Sequence, residues 1–230
     1  MFKLLKKELT LSINPQTIIF TLLVLLIIIP SWPAAVGFMY PLSGLMVIFP
    51  LALANHDIEY TALLPIKKGD IVKSKVLFIV FIELATILIS IPAALIRNLV
   101  LTPSVISSTQ EAAEVAEEVT EEITYYASVG PTFITYGIIL LGYSIFNIIL
   151  IPQYYKNPYK KITGPQLISM FAMLVILGVG TAVQVVLSSI GGTPYLIGTI
   201  VTIALGVILY VLLTIIAEKR GERRIYMIDL

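Results

Sequence analysis

The chain is 230 residues long, 58% hydrophobic and only 13% charged, with a formal net charge of +1. A soluble domain carries about 25% charged residues, and a water-exposed fold of this length could not be clothed with so few polar groups, so a water-soluble fold is excluded. The absence of cysteine excludes disulfides, thiol-ligated metal sites and thiol nucleophiles, and His56, the one histidine, cannot build a metal cluster alone.

The apolar residues are gathered into long stretches, and about 20 of them in a helix cross a bilayer core of about 30 Å. Residues 1–11 form a basic, amphipathic start, with Lys3, Lys6 and Lys7 among Phe2, Leu4, Leu5 and Leu9. The first span covers about 15–30. A basic start before an apolar run is also the layout of a signal peptide, but no small-residue cleavage site closes the run and no charge follows before His56. A helical hairpin is therefore expected, turning at Pro30-Ser31-Trp32-Pro33 with Trp32 as an interfacial aromatic, and returning as span two over about 36–54. In the polar segment 56–75, Asn55 or Asp57 is placed to cap a short helix that Pro65 ends, and Asp70 to start the next.

Span three covers about 76–96, and the polar segment 97–130 follows it. Span four covers about 131–151, ahead of a basic, tyrosine-rich loop. Span five covers about 166–188. Gly191-Gly192-Thr193-Pro194 makes a tight turn into span six, about 195–217, and a charged tail closes the chain. The fold class is thus all-α and polytopic, a single transmembrane domain of six spans. With the N-terminus inside, every Lys and Arg except Arg97 falls in an inner segment, which places both ends in the cytoplasm.

Within the outer segment, Glu111, Glu114, Glu117, Glu118, Glu121 and Glu122 alternate with Ala112, Val115, Val119 and Ile123 at helical spacing. This predicts an amphipathic outer helix whose acids keep it soluble or present a negative field to a cationic substrate. Glu83 is the single acid inside a span, about 12 Å above Lys75 along span three. A carboxyl group there must face the bundle interior, pair or take a proton. Thr86 and Ser90 extend one polar stripe from it, and with Asn147 and Gln184 they are candidate pore or interface residues. Gly178 and Gly180 are expected to let span five pack closely, and Arg97 and Tyr125-Tyr126 to anchor at the membrane interface.

The segment after span two joins an acidic pair to Leu63-Leu64-Pro65, the pair Lys67-Lys68, Asp70-Ile71-Val72 and Ser74-Lys75. This pattern resembles the permease subunits of type-2 ATP-binding-cassette exporters, in particular the short bacterial form encoded apart from its ATPase, and the likeness extends over essentially the whole chain. The resemblance implies a cytoplasmic coupling helix that docks on the ATPase through Asp57, Glu59, Leu63, Leu64, Pro65, Lys67 and Lys68. It likewise implies an interfacial helix containing Phe2, Leu5, Lys6 and Glu8. Its further implications are a bacterial cell membrane, a second identical or related permease, hydrophobic or amphipathic molecules or peptides as substrates, and ATP and Mg bound by the partner. The chain itself has no phosphate-binding Gly-Lys-Ser/Thr loop, so no ATP hydrolysis is expected of it. Nucleic acid is not an expected partner. An intramembrane enzyme would need paired ionisable groups at membrane depth, where Glu83 stands alone. A proton-coupled secondary transporter using Glu83, and a membrane scaffold or immunity protein, are the alternatives.

Overall fold

The computed structural model describes residues 2–30, 32–101, 131–156 and 162–227, and every element among them is helical. The N-terminal helix α1 (Phe2–Leu11) is followed by Asn14, whose side chain caps α2 (Pro15–Leu22) by accepting from Thr17 N at 2.7 Å. Pro15 stands at the first helical position, where its missing N–H costs nothing. The chain bends by 85° between α1 and the first span, so α1 lies across the axis of the bundle. Leu23–Ile28 continues α2 as a 3₁₀ helix. Its larger rise per residue carries the eight and six residues of the two segments about 24 Å, roughly 3 Å further than an α-helix would.

The return limb is α3 (Ala34–Gly37) and α4 (Met39–Ala54), together one 21-residue apolar run. After α5 (Asp57–Ala62) come α6 (Lys68–Ile96), with a π-helical turn Arg97–Leu101 at its end, α7 (Phe133–Tyr154), α8 (Thr163–Ile190) and α9 (Gly192–Tyr226). Among the described residues, five helical runs are long and apolar enough to cross a bilayer, and the count is six if the bent α1–α2 unit is one span. The chain is a polytopic, all-α membrane protein.

The packing follows membrane rules. On α6, Leu77, Phe81, Leu84, Leu88, Ile91 and Leu95 recur at intervals of three and four and are exposed, whereas Lys75, Glu83, Thr86, Ser90 and Arg97 share the buried stripe. Apolar groups meet the acyl chains and polar groups meet one another. α7 is the centre of the bundle, and it crosses α9 at glycine. A Cβ on Gly206 would lie 2.5 Å from Gly137 O, and one on Gly137 would lie 2.7 Å from Thr202 O. Small residues let the two backbones approach, which substitutes for the hydrophobic drive that lipid removes. In α8, Gly180 does pack closely, against Ile138, but Gly178 faces open space, contrary to expectation.

Both terminal segments lie at the same end of the bundle, at the foot of α6. Glu8 on α1 and Glu222 on α9 reach Lys75 and Lys73 respectively, both at the foot of α6. The Gly191-Gly192 turn, with φ of 65° and 59°, forms as the sequence predicts. Three expectations change. α9 continues as helix through Tyr226 rather than stopping near 217, because its last turns pack on the foot of α6. α7 runs through Pro152 to Tyr154, and the carbonyl of Pro152 accepts from Arg224 Nη1 at 2.6 Å. Arg97 is no interfacial anchor, being 1% exposed and donating to the carbonyls of Ile27 (3.1 Å), Pro30 (2.7 Å) and Trp32 (2.7 Å). It thereby clamps the hairpin between spans one and two, because a guanidinium can bridge several carbonyls at once.

Candidate functional site

Two assemblies of polar side chains stand out in this apolar molecule. The first lies at the foot of the bundle and is built on α5. The residue before α5 is His56 in the left-handed region (φ 51°), and its side chain makes no cap, in place of the Asn55 or Asp57 cap expected. Its Nδ1 sits instead 3.1 Å from Glu59 Oε2. Ile58 and Thr61 are buried against the bundle, whereas Tyr60, Leu63 and Leu64 are exposed, Leu63 by 81%. Exposed apolar side chains on a polar segment outside the spans suit contact with a partner or with lipid.

Beneath α5 the charges close into a network. Lys7 Nζ donates to Asp57 Oδ1 at 2.5 Å and to Thr61 Oγ1 at 2.6 Å. Lys75 Nζ donates to Glu8 Oε2 at 2.7 Å and Ser12 Oγ at 3.1 Å, and lies 3.7 Å from Asp57 Oδ2. Ser12 Oγ donates to Glu8 Oε2 at 2.8 Å. Two cations and two carboxylates thus cancel, and α1, α5 and α6 are held by one set of bonds. Glu8 and Lys75 are each 2% exposed, so neither charge is tolerable without the other. Burial by itself raises the Asp57 pKa, but the Lys75 charge and the Lys7 hydrogen bond outweigh it and hold the carboxyl below its ordinary value.

The second assembly lies at membrane depth. Glu83 is 1% exposed, and its Oε2 accepts from Tyr210 Oη at 2.6 Å and from Asn147 Nδ2 at 3.1 Å. Asn147 Nδ2 also reaches Thr214 Oγ1 at 3.5 Å. Asn147 from α7 and Tyr210 from α9 therefore meet at one carboxyl oxygen of Glu83 on α6, and Thr214 from α9 joins them through Asn147. Glu83 Oε1 and Asn147 Oδ1 are buried without a hydrogen-bond partner among the described residues.

Searches against protein-family models, curated proteins and solved structures find no match to this chain. The meaning of the two assemblies therefore has to come from their own chemistry.

Of the residues singled out in the sequence, Glu83 and Asn147 are brought together. Thr86 and Ser90 share the buried stripe but donate to the carbonyls of Ile82 and Ile87, and Ser90 also reaches Tyr136 Oη at 3.3 Å. Gln184 belongs elsewhere, its Oε1 accepting from Thr135 Oγ1 at 2.8 Å. Around α5, Asp57 and Glu8 share the charge network, Leu5 packs on the core, and Lys6, Pro65 and Lys67 are exposed. Glu59 faces His56, and Lys68 begins α6, which Phe2 does for α1. Glu111, Glu114, Glu117, Glu118, Glu121, Glu122 and Tyr125-Tyr126 lie outside the described residues. Sequence reasoning missed Lys7 and Lys75 as network members, Tyr210 as a partner of Glu83 and Thr214 as a partner of Asn147. For Lys75 a signal existed, since it falls on the helical stripe that carries Glu83.

Proposed function

We propose that the chain is the transmembrane subunit of an ATP-driven exporter in a bacterial cell membrane, forming half of the translocation path and coupled to a separate ATPase. The observation that carries this is the two-faced construction of α5. Tyr60, Leu63 and Leu64 face outward, while Asp57 and Thr61 are bonded through Lys7 and Lys75 to α1 and α6. A push on the outward face is thus delivered to a transverse helix and to the foot of span three. Concentration of basic residues at this end supports placing it in the cytoplasm. Hydrophobic or amphipathic molecules, peptides included, are the substrate class, and a second identical or related permease supplies the other half of the path.

Reconstitution with candidate ATPase subunits tests the reading. Leu63→Asp with Leu64→Asp should abolish association and permease-dependent ATPase stimulation. Retention of both would remove α5 from the coupling role.

Glu83 favours a second reading, an ATP-independent ion-coupled transporter, because a buried carboxyl oxygen without a partner is placed to bind a proton or cation. Uptake or efflux in vesicles without ATP, abolished by Glu83→Gln, would select it.

A further inference from the structure

Among the described residues, no Lys, Arg or His pairs with Glu83. The flanking cations of its own helix are Lys75, about 12 Å toward the foot and bonded to Glu8, and Arg97, about 21 Å the other way and bonded to the hairpin carbonyls. α2, α4, α7 and α8 carry no charged residue, and α9 has its first at Glu218, about 12 Å beyond Tyr210. The charges of α1 and α5 are gathered at the foot. The titratable neighbours of Glu83 are Tyr210 on α9 and Tyr143 on α7, and a phenol is neutral at neutral pH.

The hydrogen-bond donors around the carboxyl are all spent on one of its oxygens. Tyr210 Oη and Asn147 Nδ2 donate to Oε2, and the other contact of Nδ2 is Thr214 Oγ1. What remains is a pair of acceptors, Glu83 Oε1 and Asn147 Oδ1, each buried and without a partner among the described residues. They belong to the two groups that are already bonded to each other. An ionised carboxylate only accepts, so it can satisfy neither atom, whereas a carboxylic acid carries one O–H donor. An acid and a primary amide match through two parallel bonds, N–H to one carboxyl oxygen and O–H to the amide oxygen. The first of these is present at 3.1 Å. One proton on Oε1 supplies the second and removes both unsatisfied acceptors, each of which costs about 1–3 kcal/mol when buried.

We propose that Glu83 carries a proton on Oε1 at neutral pH and donates it to Asn147 Oδ1, closing an acid–amide ring that Tyr210 ties to α9. This rests on the reading of Glu83 as a proton or cation site and commits that site to the proton. Hard cations such as calcium and magnesium take about six oxygen ligands or more, whereas a proton needs only the two that are left. Tyr143 Oη, one turn before Asn147 on α7, is also buried without a partner among the described residues and is the rival acceptor. The amide is preferred because its bond to Oε2 already sets it beside the carboxyl. As a neutral acid, Glu83 joins α6 to α7 and α9 without the cost of a buried charge.

Infrared spectroscopy of the full-length chain in lipid bicelles at neutral pH tests this. The difference between wild type and Glu83→Gln should contain the carbonyl stretch of one protonated carboxyl group, moved to lower frequency in heavy water. Asn147→Leu should shift that band to higher frequency, because the acid loses its acceptor, and Tyr143→Phe should leave it in place. Glu83→Gln puts an N–H donor where the acid has its O–H, so it should unfold at the wild-type midpoint. A carboxylate band in the difference spectrum, or a Glu83→Gln chain that no longer folds, would overturn the proton. So would a wild-type midpoint raised by sodium over choline at equal ionic strength and unmoved in Glu83→Gln, which would make the site a cation site. A band shifted by Tyr143→Phe and not by Asn147→Leu would overturn the ring. If Asn147→Leu does not fold, the wild-type band read after isotopic labelling of glutamate decides the protonation, and its absence refutes the proposal. Transport without ATP in vesicles is the separate readout. The acid band without such transport would refute the ion-coupled reading and leave the ring standing; such transport with a carboxylate band would refute the ring alone.

Discussion

A carboxyl group at membrane depth is costly, so what Glu83 touches decides how the surrounding helices are joined. The Tyr210 hydroxyl gives it its shortest contact, 2.6 Å, across α6 and α9. Interhelical hydrogen bonds in bilayers contribute about 0.6 kcal/mol on average and up to about 1.7, and a short bond to a buried carboxyl belongs at the upper end. Tyr210→Phe should therefore destabilise the chain by about 1.5 kcal/mol in bicelle unfolding; an unchanged midpoint would mean that the contact carries nothing. The foot network obeys a different rule, that of charge balance. Lys75→Met leaves Glu8 buried and uncompensated and should cost about 3–5 kcal/mol, whereas adding Glu8→Leu removes the stranded charge and should recover most of it. If the double variant is no better than the single one, Lys75 acts by packing alone. Asp57 adds a pH signature. Its folded pKa lies below its ordinary one, so its stabilising contribution is complete above about pH 4 and is lost only as pH falls through the lower folded value. Amide exchange over α1 should stay slow from neutral pH down to about 4 and quicken in stronger acid. Asp57→Asn should abolish that acid dependence, and a transition near pH 6 would assign the effect to another group.

Among the elements, the tightest constraint is the crossing of α7 and α9. Gly206→Ala places a methyl group 2.5 Å from a backbone carbonyl that cannot rotate away, so the helices must separate, at a cost of about 1–3 kcal/mol. Gly178→Ala meets nothing within 4 Å and should be neutral or slightly stabilising, since alanine is the better helix former. Equal losses in the two variants, by thermal unfolding in detergent, would show that helix propensity and not the crossing sets the effect. The same pair marks what is legible in the sequence. Hydropathy locates the spans because each is a local run, and the Gly191-Gly192 turn is legible because only glycine suits its φ. Which glycine meets a backbone depends on the rotation of two helices about their axes, which no local pattern reports. Glu83 was recognisable as an acid out of place, yet its strongest partner lies 127 residues away, and the Lys75–Glu8 pair closes over 67 residues. Arg97 reads as an interfacial cation until three carbonyls of a distant hairpin are seen around it.

For the molecule as a whole, polarity is distributed by end. The foot holds α1, α5, the first turns of α6 and the last turns of α9, joined by Lys75–Glu8, Lys73–Glu222 and the Arg224 bond to Pro152. The opposite end holds the Arg97 clamp, the Asn98 bond to Pro131 and the glycine turn between α8 and α9. An even number of crossings would put both terminal segments on one side and the glycine turn on the other, and the bias of lysine and arginine toward the cytoplasmic side predicts that the foot faces inward. Because the chain contains no cysteine, single replacements report side without background. Lys3→Cys and Lys219→Cys, both exposed, should react with a membrane-impermeant maleimide only after cells are opened. Thr193→Cys, exposed at the glycine turn, should react on intact cells. Reaction of Lys3→Cys and Lys219→Cys from opposite sides would require an odd number of crossings and would dismantle the foot. Joint reaction of that pair from outside, with Thr193→Cys protected, would keep the fold, invert its orientation and leave α5 unable to meet a cytoplasmic ATPase.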